Sequence, residues 1–210
     1  MASELDHLGV RVSLGTPADA ATLRAAEADV VIMATGAEAT APRDPAGGQR
    51  CVTDVAVFDG AVDVPEGESV VVYDRDAGIR GGLVAVELAE RGARVRLVTP
   101  LQAPCQDVNP TQLPFLRRTL TALGVEAVND TELLPDSGDG LRFRNVWSKR
   151  EVTVDGSLVV FAGIAASRTG LLRELDGADT EFEVRAVGDC VAPRTLRDAV
   201  REGALAGAAV

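Results

Sequence analysis

Apolar positions in this chain come in short unbroken runs separated by stretches with helical spacing. The runs at 29–37 (DVVIMATGA), 69–74 (SVVVYD) and 157–163 (SLVVFAG) are apolar on successive residues, as strands buried on both faces of a parallel sheet require. Between such runs, 17–28 predicts a helix with Pro17 in its first turn and Leu23 as its main apolar anchor. Residues 82–92 predict another, with Leu83, Val86, Leu88 and Ala89 as the sheet-facing stripe and Gly92 as terminator. A third covers 111–124, with Pro114 near its start and Gly124 beyond its end. Weaker patterns predict a strand at 9–14 (GVRVSL), a loop at 38–51, a helical or extended crossover at 52–68 and short strands within 125–135. Alternation over 140–156 predicts an antiparallel pair turning at Ser148-Lys149, with Phe143, Val146 and Trp147 offering apolar contacts. A polar loop containing Arg168 and Asp179 then leads to a last strand at 183–189 and a small-residue helix from about Pro193 or Arg194.

The segment 69–100 reads strand, helix, strand, a βαβ unit with a right-handed crossover. The whole is therefore α/β and nested: residues 1–65 plus 157–210 form one partial layer, and residues 66–156 form a βαβ domain inserted into it. Such nesting places a crevice at strand ends, where dinucleotides commonly sit.

Composition narrows the partners. The net charge is −11 and the pI about 4.6, a field that disfavours nucleic acid and anionic membrane surfaces. Aromatics are only 3% against 46% hydrophobic residues, so layers must meet through Ala, Val and Leu. Cys51, Cys105 and Cys190 are far apart and form no C-x-x-C, and His7 is the lone histidine. These leave no metal-ligand set and no Ser/His/Asp or Cys/His triad, and they fit a reducing, cytoplasmic setting. The opening residues carry no secretory signal pattern, and no apolar run reaches the ~20 residues of a membrane span.

Two strand-to-turn junctions are the candidate chemistry. Gly188 permits a sharp turn, and Asp189 can accept hydrogen bonds from a sugar or ribityl hydroxyl. The helix after it offers unpaired N–H groups suited to a pyrophosphate. At Thr35-Gly36 a small turn lets an adenine or pyrophosphate approach the main chain. The structural alternatives are a capping Asp beside a turn glycine and an ordinary strand-to-loop turn. In the inserted domain, DRDAGIRGG (74–82) stands where a phosphate loop belongs, but Asp74 and Asp76 replace glycines of G-x-G-x-x-G, and Arg75 or Arg80 offsets them only in part. The next strand ends in VTP, without the acidic residue that would hold an NAD ribose. Asp176 and Asp179 read as solvated, Cys190 as a packed thiol, and Tyr73 and Trp147 as core or interface residues.

ADVVIMATGA, VVVYDRDAGIRGGLVAVELAERGARVRLVTP and the terminal GDC-x-APR-x-x-x-DA-x-x-EG resemble the C-terminal nucleotide-binding region of the trimethylamine dehydrogenase, histamine dehydrogenase and 2,4-dienoyl-CoA reductase family, within the two-dinucleotide-binding-domain flavoproteins. The resemblance covers nearly the whole chain. It implies an incomplete FAD-binding Rossmann-like domain with an inserted NAD-binding-like βαβ domain. It implies FAD or ADP as ligand, with Thr35 and Gly36 near the adenosine, Gly188 and Asp189 at the sugar or ribityl part, and Arg194 and Thr195 by the diphosphate or flavin. NAD(P)H is not expected in the inserted domain, and no catalytic residue is assigned. The family's FMN barrel, cluster cysteines and first glycine-rich loop have no counterpart here, which implies a partner polypeptide carrying them, or self-association. The alternatives are a non-catalytic scaffold or partner-recognition subunit and an NAD(P)H-dependent flavin reductase module.

Overall fold

The computed structural model of the chain describes residues 2–44, 48–135, 140–176 and 181–210. In chain order the elements are α1 Ala2–His7, α2 Ala20–Ala25, β1 Val30–Met33, β2 Ala37–Ala39, β3 Arg50–Thr53, α3 Asp54–Phe58, β4 Ser69–Asp74, α4 Ile79–Glu90 and β5 Arg94–Val98. Then follow α5 Leu113–Ala122, β6 Glu126–Val128, β7 Thr131–Leu133, β8 Phe143–Asn145, β9 Glu151–Val152, β10 Leu158–Ala162, β11 Ala165–Ser167, α6 Gly170–Leu175, β12 Glu183–Ala186, a 3-10 turn Gly188–Cys190 and α7 Leu196–Ala208. The fold class is α/β with parallel sheets.

The chain divides into an outer unit, Met1–Ala37 with Ser167–Val210, and an inserted unit, Glu38–Ala166. These borders differ from 1–65 plus 157–210 and 66–156. The reason is hydrogen bonding: β10 lies between β3 and β4 in one five-stranded parallel sheet, order β3-β10-β4-β5-β6, so 50–53 and 158–162 cannot belong to the outer layer. The connecting strands β2 and β11 pair as a two-stranded ribbon.

In the inserted unit, Val70–Val72 and Leu158–Phe161 are all buried, which accounts for their lack of alternation. One face, with Val70 and Val72, packs against α4 and α5. The buried face of α4 is Gly81, Gly82, Val84, Ala85 and Leu88, spaced i, i+3, i+4, i+7, whereas Leu83, expected inward, is exposed. The helix begins three residues earlier than its apolar pattern suggests, because Gly81 lets its first turn lie against Asp74 of β4 and Gly82 lets it lie against Cys105 and against Leu116 of α5. On the other face, Val71, Tyr73 and Phe161 meet Phe143 of the antiparallel sheet β7-β8-β9, and Tyr73 stands edge-on to both phenylalanines with centroids 6.0 Å apart. Trp147 is exposed rather than packed; its Nε1 donates to Asp130 Oδ1 at 3.0 Å.

The outer unit holds the parallel pair β1 and β12 over a small core of Ala20, Met33, Leu175 and Phe182. Residues 9–14 form no strand; Val10, Val12 and Leu14 are exposed, since alternation without a neighbouring strand leaves the backbone to solvent. Helix α6 arises where a polar loop is expected, because Leu171, Leu172 and Leu175 give one short apolar face for this core. Asp176 ends α6 on its exposed side, and Asp179 lies outside the described residues.

Gly81 is the tightest helix-to-sheet contact: a Cβ there would fall 2.6 Å from Asp74 Cγ. Gly81→Val is expected to cost about 1–3 kcal/mol of stability, measured by urea denaturation of the inserted unit. An unchanged midpoint would show that α4 can lift from β4 without loss.

Candidate functional site

Strands β1 and β12 run parallel in register, Val30 opposite Glu183 through Met33 opposite Ala186. Their ends therefore emerge side by side, and Val187 N donates to Met33 O at 3.0 Å. The two sequence-distant turns, 34–36 and 187–189, are thus brought together on the outer unit. Gly36 and Gly188 both hold positive φ, 71° and 69°, which glycine adopts at little cost. A Cβ on Gly36 would meet nothing within 4 Å, so the main chain there is open to an incoming group; one on Gly188 would sit 3.3 Å from Ala199 Cβ, so that turn is packed under α7.

A third segment ties the turns together. Thr35 Oγ1 donates to Arg168 O at 2.9 Å, Arg168 N donates to Gly36 O at 3.0 Å, and Ser167 Oγ donates to Asp189 O at 2.8 Å. Ser167 and Arg168 carried no signal in the sequence, because Arg168 acts through its backbone N–H and C=O and Ser167 through a single hydroxyl donating to a backbone carbonyl. Cys190 is buried, with Sγ donating to Met33 O and Val187 O at 3.1 Å each, a packed thiol.

The helix start is less open. Asp189 Oδ1 accepts from Arg194 N at 3.2 Å, leaving Oδ2 without a donor among the described residues. Thr195 is the N-cap of α7 in a reciprocal capping box with Asp198, its hydroxyl donating to Asp198 Oδ2 at 2.6 Å. Glu202, one further residue with no sequence signal, accepts the Gly188 N–H at 2.7 Å and an Arg194 guanidinium N–H. These bonds, Gly188 first and Arg194 second, hold the Glu202 carboxyl below its ordinary range. The Gly188 N–H and the Arg194 cation, the two groups a diphosphate would seek, thus already face a carboxylate of the same chain.

The inserted unit has its own strand-end crevice where β4 and β10 lie adjacent and strand order reverses. Asp54 is fully buried there, with Oδ2 taking Arg80 Nε at 2.8 Å and Gly163 N at 3.1 Å, and Oδ1 taking Val55 N at 2.9 Å. Arg80 is therefore engaged below the crevice. Asp76 packs on Gly163, where a Cβ would fall 2.5 Å from its own Cβ, and its Oδ2 stands 2.7 Å from a Cβ placed on Gly78, the N-cap of α4. Asp74 is buried, and burial raises its carboxyl, with Asp76 N and Cys105 N donating in opposition; desolvation also raises Asp76. Burial and then the Asp74 charge push the Cys105 thiol up to about 11, so it stays protonated at neutral pH. Among the described residues no group of three or more His, Cys, Asp or Glu could hold a metal ion, and no helix is long and apolar enough to cross a membrane.

No family model matches the chain. It is 32% identical over 212 residues to the NADH oxidase of Thermoanaerobacter brockii, a match covering 96% of this chain and 31% of that protein. The solved 6-hydroxypseudooxynicotine amine oxidase of Pseudomonas geniculata N1 is similar at TM-score 0.76 and 26% identity, over 92% of this chain and 31% of the other. Histamine dehydrogenase of Rhizobium sp. 4-9 shares the fold at TM-score 0.75 and 22% identity, over 90% of this chain and 31% of its own. These solved structures are of the trimethylamine dehydrogenase, histamine dehydrogenase and 2,4-dienoyl-CoA reductase family, which the chain resembles in sequence and fold. The chain spans about a third of the length of the relatives it matches. Those relatives are an oxidase, an amine oxidase and a dehydrogenase, and the two solved ones share this chain's α/β fold.

Because the Glu202 carboxyl is depressed, its hold on Gly188 is complete above the ordinary value of 4.5 and is lost as pH falls through the lower folded value. The Gly188 amide resonance is expected to titrate with a midpoint below 4.5, and Glu202→Gln to abolish that titration. A midpoint at or above the ordinary value would mean that the bond does not persist in solution.

Proposed function

We propose that the outer unit forms one wall of a nucleotide site in a flavin-dependent oxidoreductase, holding the adenosine and sugar side of FAD, or ADP in its place. The observation that carries this reading is the in-register pairing of β1 and β12, which sets the open turn at Thr35-Gly36 beside Asp189. Gly36 allows the close approach of a ring or phosphate, and Asp189 Oδ2 accepts from a ribose or ribityl hydroxyl. Bound flavin would supply electron acceptance; this chain's residues would position it. Arg194 would meet the diphosphate only on exchanging its bond with Glu202, and Thr195, the residue after it, serves by capping the helix that carries Glu202.

The rest of the site would come from another polypeptide or from further chain. Each of the parallel strands β1 and β12 has one neighbour among the described residues, leaving an edge on either side. No residue of α7 is buried, and Leu196, Val200 and Leu205 on it are exposed. The second reading, a scaffold without cofactor, is favoured by one observation, that Glu202 occupies both the Gly188 N–H and the Arg194 guanidinium.

The test is purification with the physiological partner, an absorption spectrum, and release of bound nucleotide by denaturation. A flavin spectrum supports FAD, colourless release supports ADP, and neither supports the scaffold. In the loaded assembly Asp189→Ala is expected to weaken nucleotide retention about tenfold, the scale of one charged hydrogen bond. Gly36→Val should do so by obstruction and by its strained φ. Unchanged retention in both variants would move the ligand elsewhere.

For the inserted unit we infer that a nicotinamide dinucleotide is not accommodated, since its diphosphate would meet the Asp76 carboxylate at the start of α4 while Arg80 is engaged by Asp54. NADH titration followed by fluorescence is expected to show no saturation below millimolar concentration, and Asp76→Gly to strengthen binding. Tight binding by the unaltered chain would overturn this charge argument.

A further inference from the structure

Behind the closed crevice, on the opposite face of the five-stranded sheet from α4, the inserted unit has a pocket of about 310 Å³. We propose that it binds a small organic monocarboxylate with a flat apolar body. Tyr73 and Phe161, register partners on β4 and β10 and almost wholly buried, meet its floor, with Leu133, Pro42 and Ile164 around them. Both rings are held: they stand edge-on to each other, and the Tyr73 hydroxyl accepts Leu133 N–H at 3.1 Å, which leaves its own proton to donate.

Arg75, the residue after β4, supplies the charge. It lines this pocket, is exposed, and makes no hydrogen bond or ion pair among the described residues. Glu132, which like Arg75 acts electrostatically on Tyr73, is taken by Arg144 through two bonds of 2.8 and 3.0 Å and faces Lys149 at 3.9 Å. In a chain of net charge −11, a guanidinium free of ion pairs among the described residues, at the rim of an apolar pocket, is complementary to an anion that carries its own apolar surface. One cation matches one negative charge, and Asp76 next in sequence disfavours a second. The site shares no residue with the proposed nucleotide wall, so the two readings stand or fall separately.

The probe is sodium benzoate, titrated into the ¹⁵N-labelled chain at constant ionic strength, with benzyl alcohol and acetate as controls. Saturable amide shifts are expected at residues 73–75, 133 and 164, with a dissociation constant in about the millimolar range. Benzyl alcohol and acetate should each bind at least tenfold more weakly. Arg75→Gln should weaken benzoate about tenfold or more and leave benzyl alcohol within twofold, while amide shifts elsewhere report an intact fold. The proposal is overturned by the absence of saturable shifts, by shifts confined to other residues, by acetate or benzyl alcohol binding as well as benzoate, or by equal benzoate affinity in Arg75→Gln.

Discussion

The fully buried strand β10 satisfies its backbone by pairing with strands far away in sequence. It finds β3 and β4, 108 and 88 positions back by the register Leu158 opposite Arg50 and Val70. The partly buried β1 likewise finds β12, Met33 opposite Ala186. An N–H or C=O left unpaired in such an apolar setting is costly, so these pairings are obligatory. The nested chain path, the ribbon of β2 and β11, and the adjacency of the two turns in the outer unit all follow from them.

The second theme is how the molecule uses charge near its strand ends. In both units a carboxylate stands where a phosphate-binding fold presents donors: Glu202 at Gly188 and Arg194, Asp76 at the start of α4. The cations beside them are drawn to resident acids, Arg194 to Glu202 and Arg80 to Asp54. Such sites are satisfied internally, and a ligand's anion must displace a neighbour rather than fill an empty cradle. In the outer unit the acid is solvent-accessible and exchangeable; in the inserted unit Asp54 is fully buried and its three bonds make exchange far more costly. The difference separates the proposed nucleotide wall of the outer unit from the crevice of the inserted unit, whose cation is held by a buried acid.

Glycine sets the close approaches on which both arrangements rest. Gly81 and Gly82 bring α4 down onto Asp74 and the Cys105 sulfur, and Gly188 turns beneath Ala199 of α7. With few aromatics, large rings are concentrated where one sheet face meets the antiparallel strands, and the pocket at Tyr73 and Phe161 lies at the margin of that cluster.

The sequence by itself determined the elements that local pattern controls. The apolar runs at 69–74 and 157–163, the βαβ unit, the strands around 126–133, the antiparallel pair after 143 and the proline and glycine boundaries of α5 are all legible, because burial on both faces or one face writes a period into neighbouring residues. So were the two turns at 35–36 and 188–189, since a strand ending in glycine signals a sharp change of direction. Tertiary structure decided what depends on partners: which unit β3 and β10 join, that 9–14 makes no strand, that α6 forms on a shared core, and that Glu202, Ser167 and Arg168 close the turns. These rest on pairings across tens to more than a hundred residues, and the period of a local segment carries no record of which distant backbone will supply its hydrogen bonds.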